Sequence, residues 1–191
     1  YNMSDFPFSI PRRVDTQTPP FSYIQTTDNT EYDVVTYNGS NEVPLTKLSG
    51  LKITPNSESQ VVLLQLHLFG EWDRDQHSAS LSFKRVVGGV ETWLDTRDLG
   101  IGGRKPVNGA FAITYPDATN NTTPQSLNVT LIDVPNTTQE ITYDLYLINS
   151  TGSPPPNTIT SHFNLNRTVL DTANTYNSER GISTLTAECK G

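Results

Sequence analysis

The chain has 191 residues, 34% of them hydrophobic and 17% charged, with a formal net charge of −7 and an isoelectric point near 4.8. That length suits one large domain with a substantial core. The acidity weighs against nucleic-acid and anionic-membrane partners, which repel a negative protein. The most apolar stretch, Val61–Phe69, is broken by Gln65 and His67 and is too short for a transmembrane helix, so no membrane insertion is expected. Thr, Asn and Ser take the place of charge; Thr favours pleated strands, Asn and Ser favour turns. The single cysteine, Cys189, lies in a polar context near the end and has no internal disulfide partner, so packing alone must hold the fold.

Residues 1–31 read as an extended N-terminal arm. Pro7, Pro11, Pro19 and Pro20 forbid regular helix, and Phe6, Phe8, Phe21 and Tyr23 are too many aromatics for a solvated tail. Such a segment lies across a surface, its own or a neighbour's. Arg12 and Arg13 among the aromatics suit an acidic or apolar groove on another protein, which makes the arm the expected anchor.

Residues 32–191 read as one β-domain. Tyr32–Tyr37 ends at Asn38-Gly39, a hairpin signal, and the apolar run Val43–Ile53 leads to the turn cluster Thr54-Pro55-Asn56-Ser57. In Gln60–Phe69, Val62, Leu64, Leu66 and Leu68 face one way and Val61, Leu63 and Phe69 the other, so the second face needs cover from the arm or from another subunit. Ser78–Val87 sets Ala79, Leu81 and Phe83 against Ser80, Ser82 and Lys84, and Gly88-Gly89 returns the chain into Val90–Leu94. Ala110–Tyr115, the Leu127–Leu131 alternation, Ile141–Leu147, Ile159–Leu165 and Ile182–Cys189 complete the series. Short alternating runs with polar turns and no helical period predict an antiparallel jelly-roll sandwich.

Candidate chemistry is sparse. Asp73 and Asp75 would share a face if their strand continues, a spacing compatible with paired-carboxylate hydrolysis or a calcium site, but no apolar pocket and no spaced Asp/Asn-Gly loop accompany them. His67, His77 and His162 would have to converge from separate strands to bind zinc. Gly100–Lys105 has the glycines of a phosphate loop, yet Pro106 to Gly109 follow where a helix N-terminus is required. Asn-x-Ser/Thr triplets recur, as chance dictates in an Asn- and Thr-rich chain, and one of them, Asn128, falls inside a strand. The expectation is a non-enzymatic protein without cofactor or metal.

Two stretches carry a resemblance. Leu51-Lys52-Ile53-Thr54-Pro55, with the Ser-rich turn and the strand Val61–Phe69, is one. The other is Asn166-Arg167-Thr168, Asp171-Thr172, Asn174, Tyr176, Glu179-Arg180-Gly181-Ile182-Ser183, Leu185-Thr186 and Glu188. Both are similar to small virion proteins of marine cyanophages and algal viruses, whose closing motif runs from an Asn-Arg-Ser/Thr strand end into an Arg-Gly-x-Ser strand. The resemblance spans roughly residues 45–191 and departs at Cys189-Lys190-Gly191, where a more apolar finish is usual. It implies a homotrimer of tumour-necrosis-factor-like jelly rolls located at the virion surface. Phe69, Tyr115, Tyr143 and Tyr146 are the aromatics expected at the trimer interface. The expected role is a surface-displayed knob, short fibre head or capsid decoration, joined through its arm to another virion protein. The alternative is an attachment module for host glycan, with Trp72 and Trp93 stacking on sugar.

Overall fold

The computed structural model describes residues 20–27, 34–37, 42–73, 79–95, 106–110, 124–149, 161–166 and 180–191. Among these, the chain forms β1 (Phe21–Thr27), β2 (Val34–Tyr37), β3 (Val43–Pro44), β4 (Leu51–Ile53), β5 (Val61–Trp72), β6 (Ala79–Val87), β7 (Val90–Trp93), β8 (Gly109–Ala110), β9 (Gln125–Asp133), β10 (Ile141–Asn149), β11 (Ser161–Leu165) and β12 (Ile182–Lys190). A single 3-10 turn, Thr46–Leu48, separates β3 from β4.

Two antiparallel sheets result. In the first, the hydrogen-bonded order is β1-β12-β5-β11-β2, with β9 also on β5. β12 takes Val61–His67 and β11 takes Gly70–Trp72 along one edge of β5, so β9, which pairs with residues 62–70, holds the opposite edge. The second sheet runs β3-β10-β6-β7, with β4 also on β10 and β8 also on β6. Along the chain, β4, β6, β7 and β10 enter one sheet while β1, β5, β9 and β12 enter the other. That alternation is jelly-roll connectivity, and it agrees with the fold read from the sequence.

The inward faces follow the period-two pattern. Val62, Leu64, Leu66 and Leu68 of β5, Leu81 and Phe83 of β6, and Ile141, Leu145 and Leu147 of β10 join one buried cluster with Leu185 and Ala187 of β12. Each of the Val, Leu, Ile and Phe side chains among them contributes on the order of 1.5–3 kcal/mol when fully buried. On the other face of β5, Val61, Leu63 and Phe69 are only half-buried, so the strand is apolar on both faces but covered on one.

Several expectations need correction. The arm does not extend to residue 31: Phe21–Thr27 is a full strand paired with Ile182–Glu188. Ile24 on β1 packs against the core, which turns part of the supposed anchor into sheet. The hairpin signal Asn38-Gly39 lies outside the described residues, and the strands on either side of it do not pair with each other: β2 pairs with β11 in one sheet and β3 with β10 in the other. The Gly88-Gly89 hairpin does form, both glycines having positive φ (56° and 83°) as a tight two-residue turn requires. The polar finish at Cys189 does not weaken the last strand. Cys189 is fully buried, and its N–H donates to the Pro20 carbonyl at 2.9 Å.

Candidate functional site

Asp73, at the end of β5, is committed to His162 on β11. Its Oδ1 accepts from the His162 backbone N–H at 2.7 Å, its Oδ2 lies 2.6 Å from Nδ1, and its own N–H donates to the His162 carbonyl at 3.0 Å. This is a brace between neighbouring strand ends. His67 likewise has its own partner, with Nδ1 2.8 Å from Asn128 Oδ1 across β5 and β9. Asp75 and His77 lie outside the described residues, as do Gly100–Lys105 and Tyr115. Among the described residues no group of His, Cys, Asp and Glu could hold a metal ion.

The tryptophans are placed differently from the glycan-binding expectation. Trp72 is buried and lies tilted against Phe163, ring centres 5.0 Å apart, so no sugar reaches its face. Trp93 is half-buried and meets the edge of Tyr146 at 5.1 Å. Lys84 Nζ sits over both rings, 4.7 Å from Trp93 and 4.6 Å from Tyr146, and pairs with Glu91 at 3.0 Å. Burial alone would lower the Lys84 pKa, but the Glu91 and Tyr146 contacts outweigh it and hold it above its ordinary value.

Of the aromatics expected at an interface, Tyr143 is a core residue. It points inward with Ile141 and Leu145, fully buried, and its hydroxyl donates to Asp133 Oδ2 at 2.7 Å. The other Asp133 oxygen accepts from Arg85 Nη1, also at 2.7 Å. Because Asp133 belongs to β9 and both partners to the facing sheet, this trio ties the two sheets together. Sequence alternation places Tyr143 correctly on an inward face but gives no sign of its partner. Tyr146 is half-buried and engaged by Lys84. Phe69 is half-buried on the outer face of β5.

Three of the residues that carry the virion-protein resemblance, Asn166, Gly181 and Ser183, come together around Phe69, while residues 167–179 of that stretch lie outside the described residues. Asn166 ends β11 with φ of 64°, its N–H donates to the Phe69 carbonyl at 2.9 Å, and its carbonyl accepts from Gly181 N–H at 3.0 Å. Ser183 Oγ donates to Asn166 Oδ1 at 2.6 Å and accepts from Phe69 N–H at 3.0 Å. A Cβ on Gly181 would lie 2.3 Å from Phe69 Cγ, so only glycine fits beneath that ring. This knot hands the first-sheet edge of β5 from β11 to β12.

No family model matches the chain, and no curated protein matches it. Among solved structures, the VP2 subviral particle of infectious bursal disease virus is similar over 90% of this chain, with 10% identity and a TM-score of 0.35. The chain corresponds to 37% of that protein's length. Strand order and pairing define the jelly roll independently of that likeness.

The remaining surface is uneven. Phe21 and Tyr23 of β1 are 59% and 65% exposed with their rings stacked 6.2 Å apart, and Ile132 of β9 is 63% exposed. Phe21 was expected in an anchoring arm, and it stands instead on the outer face of the first sheet. Phe6, Phe8, Arg12 and Arg13 lie outside the described residues. Ile132 escaped the sequence reading, although Leu131-Ile132, two large apolar residues in succession within an alternating strand, is the signal that would have found it.

Proposed function

We propose that the protein is a non-enzymatic structural component of a virion, displayed at the particle surface as a trimeric jelly-roll module. The knob, short fibre head and capsid decoration are the forms this display can take, and residues 1–19 attach the module to another virion protein. The observation that carries this reading is the closure of the sandwich by Asn166, Gly181 and Ser183 around Phe69. These are residues of the stretch that resembles virion proteins, and each has a structural task in completing the jelly roll. The two tryptophans that recommended a glycan-binding module are buried or engaged, which removes the support that reading had.

Protein mass spectrometry and cryo-microscopy of purified particles test the proposal. The chain should be present in stoichiometric amounts, with density for a compact β-module at the surface. Its absence from particles would sink the reading, and uniform display over the shell would exclude the fibre-head form.

A further inference from the structure

Six large hydrophobic side chains are exposed among the described residues: Phe21, Tyr23, Val90, Ile132, Val134 and Ile182. Five of them belong to one side of the first sheet, the outward face of β1-β12-β5-β9 and the residue just beyond β9. Register places them in cross-strand rows. Phe21 is opposite Glu188, Glu188 opposite Leu63, and Leu63 opposite Ile132. The next row, Tyr23, Thr186, Gln65 and Thr130, is polar but uncharged apart from the aromatic ring at its edge.

We infer that this face is the docking surface for a second copy of the chain. The inference rests on the structural reading above and names the surface through which the modules meet. Charge chooses the occupant. The chain has a formal net charge of −7, so two copies meeting through ordinary surface repel one another. On these four strands the outward ionic groups that reach solvent are Glu188 and Lys190, and they pair with each other, while Glu71, which alternation also places on this side of β5, is buried, so the exposed face is neutral. Exposed apolar and aromatic groups around uncharged polar ones, with few charges, are what the centre of a protein interface presents. Val61 and Leu63, half-buried in the single chain, are the further area such a contact would dry.

Sedimentation equilibrium and native mass spectrometry on the full chain test it, with Phe21→Glu, Ile132→Glu and Val90→Glu as variants and circular dichroism to confirm folding. Both Phe21 and Ile132 are more than half exposed, on opposite strands of the face, so neither change disturbs the core. The wild type should run at a multiple of 21.1 kDa. Phe21→Glu and Ile132→Glu should each weaken association about tenfold or more, whereas Val90→Glu, on the other sheet, should not. A monomeric wild type, its face taken by residues 1–19 or by another protein, overturns the inference. So do face variants that keep the wild-type mass, and so does a Val90→Glu variant that dissociates equally. A monomer found on purified particles would defeat this inference and the trimeric form of the display but leave the virion role standing; an oligomer dispersed by the face variants but absent from particles would do the reverse.

Discussion

Asp133 has both carboxylate oxygens committed, one to Arg85 and one to the Tyr143 hydroxyl, with the carboxylate nearly dry and the guanidinium only slightly wetted. Tyr143→Phe leaves a buried acceptor unpaired and should cost about 1–3 kcal/mol in urea unfolding. Asp133→Asn removes the charge facing Arg85 and should cost more, about 3 kcal/mol, the low end for a broken buried pair because Arg85 keeps some solvent contact. The same trio sets an alkaline response. Burial first, then the Asp133 charge and hydrogen bond, raise the Tyr143 pKa far above its ordinary 10.0. The unfolded chain therefore gives up that phenolic proton before the folded one does. The contribution is whole below pH 10 and is lost as pH rises beyond it, so stability should fall in that range while Tyr143 resists ionisation. Tyrosinate absorbance of wild type against Tyr143→Phe checks this; a Tyr143 that titrates with the exposed tyrosines would contradict it. Gly181 is constrained by shape rather than charge. Gly181→Ala drives a methyl into the Phe69 ring and should cost about 1–3 kcal/mol, measured as a lower denaturation midpoint.

β1 shows how an element can be legible in composition and misread in role. Its flanking prolines and aromatics indicate a segment laid on a surface, and that surface is the open edge of β12. The clue to strand rather than arm is the alternation of Phe21, Tyr23 and Gln25 outward with Ile24 inward, too short a pattern to outweigh the prolines before it. Ile24→Ala should cost about 2 kcal/mol, the low end for a core truncation because Ile24 is half-buried; an unchanged midpoint would mean that β1 only rests on the sheet. The longer strands were readable because their inward residues repeat with period two over many positions, as in β5, β9, β10 and β12. Choice of partner was not readable. Asn38-Gly39 is a hairpin signal in the sequence, yet β2 pairs with β11, far along the chain, because two sheets must be completed from strands that alternate between them. The candidate site divides the same way. The closing motif was visible as a string of residues, whereas the Tyr143–Asp133–Arg85 trio and the Lys84 position between Trp93 and Tyr146 depend on register across strands, which no single run of sequence specifies.

Across the whole molecule, β5 is the axis around which the first sheet is organised, with β12 and β11 along one edge, β9 on the other, and its buried side facing the second sheet. Among the described residues, five of the six exposed large hydrophobics lie on the outer side of this sheet, where the ionic groups that reach solvent, Glu188 and Lys190, pair with each other. That neutrality makes a prediction about salt. Contacts built on ion pairs between subunits weaken as salt is added, because screening removes the attraction. Contacts across a neutral face between two chains of net charge −7 respond in the opposite sense, since screening removes long-range repulsion and leaves the apolar contact intact. Self-association should therefore hold or strengthen as sodium chloride rises from about 0.05 to 0.5 M, spanning Debye lengths from roughly 14 to 4 Å. Sedimentation velocity over that series checks the sign, and progressive dissociation with salt would place the contact on the charged surfaces instead.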